Sequence, residues 1–329
     1  MRWMAVVGIL FALGCDKPAA QSGGGAGGKA FRVAMILPGS DQDHGWNQMA
    51  REGLDRIKSE LKADTKIVTN VKTGEMANQL NYFGGEGFDV VICHGQEFAS
   101  DVGKAAPRFP KTHFIVGGCP TEIPGAVAVE FDPRDASYLA GSLAAQVSRT
   151  KTAAFVGAME IPTLVACYEG MRDGITATRT QPPVKLLPPL WTDSWDSPTR
   201  AKEKAESALS AGADVIYQNV DAAARGVFEA VRAANNHSKP AFAIGCNSNQ
   251  NSMAPDVIVG SVVIDVQRAY LDLARRAQAG TLNPQALKLG LDGGYVDLVL
   301  NQSHPMITPP LKENITDLRR ALLVAHRPK

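Results

Sequence analysis

From residue 31 onward the chain alternates short, almost continuous apolar runs with longer segments whose apolar residues recur at helical spacing. Residues 31–37 read as a buried strand that stops at Pro38-Gly39. Residues 44–62 place Trp46, Met49, Ala50, Leu54, Ile57 and Leu61 on one face of a helix, with Arg51, Glu52, Asp55 and Lys58 mostly on the other. The same alternation predicts strands over 66–71, 88–93, 112–117, 126–131, 152–157, 184–191, 213–218, 240–245 and 257–264. Between them it predicts helices that include 136–148, 198–211, 222–234 and 266–279. Strands apolar on both faces, interleaved with amphipathic helices, imply an α/β fold with parallel sheets covered on both sides. About ten strands are many for one such sheet, so the pattern predicts two lobes.

Parallel sheets bind ligands beyond the carboxyl ends of their strands. Here those ends carry Pro38-Gly39-Ser40, Cys93-His94-Gly95, Gly117-Gly118, Gln218-Asn219 and Gly245-Cys246-Asn247. Glycine lets a backbone approach a ligand, while His and Asn offer donors and acceptors. Tight strand-to-helix turns need the same glycines, so both readings stay open. Trp46 falls in the first helical turn after a strand end, as a core residue or a cleft residue. Trp195 lies in the polar segment Thr192-Asp193-Ser194-Trp195-Asp196-Ser197-Pro198, where core packing is a poor account of a large aromatic. Asn47 and Asp221 each read as a helix cap or a solute contact, and His94 as a cleft group or a satisfied structural histidine.

Composition narrows the function classes. Hydrophobic residues make up 45% and charged residues 20%, the balance of a globular protein with a sizeable core. With 34 Lys+Arg against 33 Asp+Glu there is no basic stripe, which argues against nucleic acid as a partner. The chain has no P-loop, no G-x-S-x-G elbow, no H-E-x-x-H helix and no GxGxxG at a strand-to-helix turn. Asp41 and Asp43 read as solvated loop residues, and the histidines lack metal-ligand spacing. The expectation is a binding protein, not an enzyme, with no cofactor and no metal. Cys93, Cys119, Cys167 and Cys246 form no CxxC pair and read as buried thiols, although a Cys93–Cys119 bridge between neighbouring strand ends stays open.

The N-terminus differs from the rest. Arg2 precedes an apolar stretch over 4–14, shorter than the roughly 18 residues a membrane-spanning helix needs. It ends in Ala12-Leu13-Gly14-Cys15, which resembles the cleavage box of bacterial lipoproteins. The resemblance implies a signal peptide over 1–14 and lipidation of Cys15. Residues 15–29, with Gly23-Gly24-Gly25 and Gly27-Gly28, then form a flexible tether. The mature protein is expected to be exported and lipid-anchored to the bacterial cell membrane, facing periplasm or exterior.

At Pro38-Gly39-Ser40 and Gly45-Trp46-Asn47-Gln48 the chain resembles the basic membrane protein family of substrate-binding lipoproteins. His94-Gly95-Gln96-Glu97-Phe98, Ser137-Tyr138-Leu139-Ala140-Gly141, Phe155-Val156-Gly157 and Ser194-Trp195-Asp196-Ser197-Pro198 agree in order. So do Gly212-Ala213-Asp214-Val215-Ile216-Tyr217-Gln218, Ala243-Ile244-Gly245 and Met253-Ala254-Pro255. The resemblance implies a type I periplasmic-binding-protein fold, with Rossmann-like lobes over 30–132 plus 248–281 and over 133–247 plus 282–329. Three crossovers are expected, after Phe131, Asn247 and Gly280. It further implies a monomer that hands a small solute to the permease of an ABC importer.

Members of the family stack a purine between two aromatic side chains, and the matching residues are Trp46 and Trp195. Asn47 would meet the base edge, with His94, Asn219, Asp221 and Asn247 as further ligand-binding candidates. Two positions depart from nucleoside-binding relatives: Asn247 stands where they carry Asp, and Ile264 where they carry Lys. Trp191, Ser194 and Trp195 are similar to base-binding members. The expected solute is therefore a purine base such as adenine, with a nucleoside as the alternative. A ligand-sensing lipoprotein without a transport role is the alternative class.

Overall fold

The computed structural model describes Met1 and residues 30–43, 45–237 and 240–325. The expected leader, Cys15 and tether lie outside these residues. The first sheet is built from β1 (Arg32–Ile36), α1 (Trp46–Leu61), β2 (Asp64–Val68), α2 (Met76–Gly85), β3 (Val90–His94), α3 (Ala99–Ala105), β4 (His113–Gly117) and β5 (Val127–Phe131). Its strands are apolar on both faces, and their alternation feeds two separate cores. Val33, Met35, Val90, Ile92 and Ile115 face one core, and Ala34, Ile36, Val91, Cys93, Phe114 and Val116 face the other.

The chain then crosses through α4 (Arg134–Val147) to a second sheet. That sheet comprises β6 (Thr152–Gly157), α5 (Pro162–Ala177), β7 (Lys185–Leu186), β8 (Leu190–Trp191), α6 (Pro198–Ser210), β9 (Val215–Asn219), α7 (Ala224–Asn236), β10 (Phe242–Asn247) and β11 (Ile258–Ile264). It returns with α8 (Val266–Gln278) and β12 (Gln285–Leu289), and finishes with β13 (Val296–Leu300) and α9 (Pro309–Ala325). The strand orders are β12-β5-β4-β3-β1-β2 and β13-β11-β10-β9-β6-β7, with β8 also on β6. All pairings in the first sheet are parallel, whereas β13 runs antiparallel to β11 at the edge of the second.

Three crossings join the lobes, but two fall elsewhere than expected. β11 pairs in parallel with β10, so residues 248–264 belong to the second lobe and the chain leaves it after Ile264, not after Asn247. The polar loop after Asn247 is tied back instead of crossing. Gln250 Oε1 accepts from Gln218 Nε2 at 2.8 Å and from the Cys246 N–H at 3.1 Å, and Ser261 Oγ accepts the Gln250 N–H. Gly280 (φ +68) follows the end of α8 in the left-handed conformation, a helix stop that resembles a hinge in sequence. The chain stays in the first lobe to pair β12 with β5, and it crosses between Leu289 and Val296. The crossings run side by side: the Asp132 N–H donates to Leu289 O at 2.9 Å and the Asp265 N–H to Tyr295 O at 2.7 Å.

All four cysteines described are buried free thiols, so the Cys93–Cys119 bridge is not formed; Cys119 Sγ donates to Thr121 O at 3.4 Å. No helix among the described residues is long and apolar enough to cross a membrane.

Candidate functional site

The carboxyl ends of β1, β3 and β4 from one lobe and of β9 and β10 from the other converge at the start of α1. Helix α1 opens without a side-chain cap at Gly45 itself. Its first N–H groups, which have no partner within the helix, are shared between two carboxylates from opposite lobes. Asp43 accepts from the Gly45, Asn47 and Gln48 N–H groups, each at 3.0 Å. Asp221, arriving from the second lobe, accepts from the Trp46 N–H at 2.8 Å. Negative charge at the positive end of a helix is stabilising. A Cβ on Gly45 would collide with Asp221 Oδ1, so a side chain here would displace that carboxylate where the lobes meet. Asp43 was therefore misread as a solvated turn residue. An acidic residue just before a helical pattern was the available signal.

Trp46 rests on an aromatic base. Its ring stacks on His94 with centroids 4.0 Å apart at 23°, and Phe131 meets it edge-on at 5.9 Å. His94 is completely buried and both its nitrogens are engaged. Because a carbonyl can only accept, Nε2–H donates to Trp46 O at 2.9 Å, and Nδ1 then accepts from the Tyr270 hydroxyl at 2.5 Å. Burial pushes its pKa down to about 3, so the ring is neutral. His94 thus holds Trp46 from below and has no nitrogen left for a solute, contrary to the expectation for it. Gly117 and Gly118 serve the same platform. A Cβ on Gly117 would strike the Tyr270 hydroxyl, and one on Gly118 (φ +74) would lie 3.1 Å from the Trp46 ring. These glycines make room for the protein's own aromatics.

Asn47 is buried; its Nδ2 donates to Asp43 Oδ2 at 2.7 Å, while its Oδ1 has no partner among the described residues. A buried carbonyl oxygen without a donor is costly unless something else supplies one. On the second lobe, Asp221 (φ +52) and Asn247 (φ +66) both hold left-handed backbone, which their short polar side chains tolerate. Asn247 Nδ2 donates to Asp221 Oδ1 at 3.3 Å, and Asn247 Oδ1 lies 3.5 Å from the Cys246 thiol, which donates to it. Burial, and then the nearby Asp43 carboxylate, raise the Asp221 pKa to about 7. Asn219 is not brought to this cluster through its amide nitrogen, which donates to Cys167 Sγ at 3.7 Å inside the second lobe. Ile264 is buried in the core.

Trp195 remains 37% exposed, unusual for so large an aromatic. Its loop is nonetheless fixed. Thr192 Oγ1 donates to Ser194 O at 2.7 Å, Ser194 Oγ donates to Asp196 Oδ1 at 2.8 Å, and the Ala223 N–H donates to Trp195 O at 3.1 Å. Asp221 and Ala223 thus bind the backbones of the two tryptophans two residues apart. An open depression of about 470 Å3, lined by Arg149, Asn235, Phe242, Asp256, His304 and Met306, lies at the other pole of the second lobe. Its charged groups are already paired, Asp256 with Arg232 at 2.6 Å and the Arg149 guanidinium over the Phe242 ring. It sits at the amino ends of the parallel strands, away from the strand-end groups at which the two lobes meet.

Two parallel-stranded lobes joined by three crossings, with polar and aromatic groups of both lobes meeting at the strand ends, define a type I periplasmic-binding-protein fold. The chain belongs to the Bmp family, described as ABC transporter substrate-binding protein PnrA-like, whose pattern matches residues 30–320. It is 23% identical over 293 residues to the transcriptional activator protein Med of Bacillus subtilis, covering 88% of each chain. It is 24% identical over 273 residues to a purine-binding protein of Brucella abortus, covering 82% of this chain and 75% of that one. An ABC transporter solute-binding protein from Aeropyrum pernix K1 shares the fold, with a TM-score of 0.78 at 21% identity over 90% of this chain and 92% of that one.

Proposed function

We propose that this protein captures a purine base such as adenine between its lobes and delivers it to the permease of an ABC importer, anchored by a lipid on Cys15. The observation that carries the reading is the buried Asn47 Oδ1, an acceptor without a donor among the described residues, beside a half-buried indole. One face of Trp46 is taken by His94, which leaves a single face for a flat solute ring. Trp195, exposed on its fixed loop, is the second stacking surface as the lobes close. A ring amine reaching Asn47 Oδ1 would satisfy it, and adenine has both the flat faces and the amine. The purine-binding Brucella relative agrees with this chemistry. Calorimetric titration with adenine, adenosine and a neutral sugar tests it. Saturable adenine binding is expected, and binding of the sugar alone would overturn the reading.

A further inference from the structure

The carboxylate of Asp221 bridges the lobes at the root of the indole on which the solute is proposed to lie. Its Oδ1 holds the Trp46 N–H of one lobe and the Asn247 amide of the other. Asn247 has its amide nitrogen committed to Asp221 and its oxygen to the Cys246 thiol. Asp221, just past β9, and Asn247, at the end of β10, are therefore bound to one another, and Asp221 is bound to α1. At this point the lobes are also in close contact, since a methyl group on Gly45 would have to push the Asp221 carboxylate aside.

Resting on the purine reading above, we infer that Asp221 is the specificity-determining residue of the cleft, an interlobe latch that admits a bare heterocycle and rejects its ribosylated form. A flat base can occupy the free face of Trp46 while the Asp221 bond to Trp46 stays intact. A sugar attached to that base, if it projects toward β9 and β10, has to displace the carboxylate. It then strips the Trp46 N–H and the Asn247 amide of their acceptor. Losing a buried hydrogen bond to a charged group weakens binding by roughly ten- to a hundredfold. Asn247 is a positioning residue in this scheme: it orients Asp221 and does not reach the solute.

The test is titration of the full mature chain with adenine and adenosine, as wild type, Asp221→Gly and Asp221→Asn. Glycine suits the left-handed backbone at this position, and Asp43 still caps α1, so the fold is retained. Wild type is expected to prefer adenine by about tenfold or more. Asp221→Gly should bring the two affinities within about threefold, mainly by gaining adenosine, and Asp221→Asn, of equal size, should keep most of the preference. A preference unchanged in Asp221→Gly overturns this inference while leaving the purine reading intact. A wild type that binds neither purine overturns both.

Discussion

The main-chain N–H of Trp46 donates to Asp221 Oδ1 at 2.8 Å across the interlobe cleft, joining residues 175 positions apart. This one bond couples the helix that presents the first tryptophan to the loop whose Ala223 N–H holds the second. A change in the separation of the lobes at this point would therefore act on both tryptophan-bearing segments.

That coupling makes closure pH-dependent. With the lobes in contact at Gly45, the Asp221 carboxyl is pushed up from 3.8 to about 7, because burial and the neighbouring Asp43 carboxylate disfavour its charge. A raised carboxyl pKa means that closing takes up a proton. Closure is thus most favoured below the open-state value and weakens as pH rises toward about 7, beyond which it levels off. Solute affinity should be higher at about pH 5.5 than at about pH 7.5, by roughly tenfold once solvent relaxation is allowed for. Asp221→Asn should flatten that profile in calorimetric titrations. A wild-type profile already flat over this range would show that the carboxyl is not buried when solute binds.

The two tryptophans should respond differently to truncation. Stacking on an aromatic is worth roughly 1–3 kcal/mol per base, or about 5- to 150-fold in affinity. Trp195→Ala should lose that amount with an unchanged melting temperature, since Trp195 is exposed and its loop is held by backbone and hydroxyl bonds. Trp46→Ala should lose affinity and also stability, because it removes the ring that packs on His94 and Phe131. Calorimetry and thermal melts on both variants check this; equal melting-temperature losses would contradict the assignment.

Much of the fold was legible because a strand buried on both faces is a continuous apolar run. The residues predicted for β1, β4, β5, β6 and β11 lie within a residue or so of the observed strands. β2 begins earlier than predicted, at Asp64, because Arg32 pairs with it and Asn70 (φ +57) turns the chain soon after Val68. The predicted strand over 184–191 is split into β7 and β8 around Pro188 and Pro189, which cannot donate to a ladder. β12 and β13 were missed: both are edge strands whose short apolar stretches are interrupted by a charge, Lys288 in β12 and Asp297 in β13. Around the candidate site, only the positions of Trp46, Asn47 and Asp221 at strand ends and helix starts were legible. The roles of His94, Asn219 and Asn247 were not, since each depends on a partner distant in sequence or buried beneath it. A sequence shows that a histidine stands at a strand end, but not that a tyrosine 176 residues away has already taken its nitrogen.

The lipid anchor is tested at the junction Gly14-Cys15. Cys15→Ser should leave uncleaved precursor and abolish incorporation of labelled fatty acid, whereas Cys119→Ser, which removes a buried thiol in the folded body, should not. Labelling that persists in Cys15→Ser would place the anchor elsewhere. Solute affinity of the released body should be unchanged, because the family match begins only at residue 30.

The base beneath Trp46 should control both stability and binding. His94 is neutral in the folded protein because burial lowers its pKa from 6.5 to about 3. A histidine held neutral stabilises the fold most above its unfolded value, and that stability falls as pH drops from about 6.5 toward 3. Replacing it removes a hydrogen bond from Trp46 O and another from Tyr270, and leaves space under the indole. His94→Ala is therefore expected to cost roughly 2–4 kcal/mol of unfolding free energy. Part of the acid-labile stability should disappear with it, seen as a shallower loss of denaturant midpoint between about pH 6.5 and 4. Because His94 never reaches the solute, its effect on affinity should run through Trp46: His94→Ala should weaken binding in a wild-type background and weaken it far less once Trp46 is already Ala. A double-mutant cycle measures that coupling. Additive losses would mean that the histidine contacts the solute itself, and the platform assigned to it would have to be abandoned.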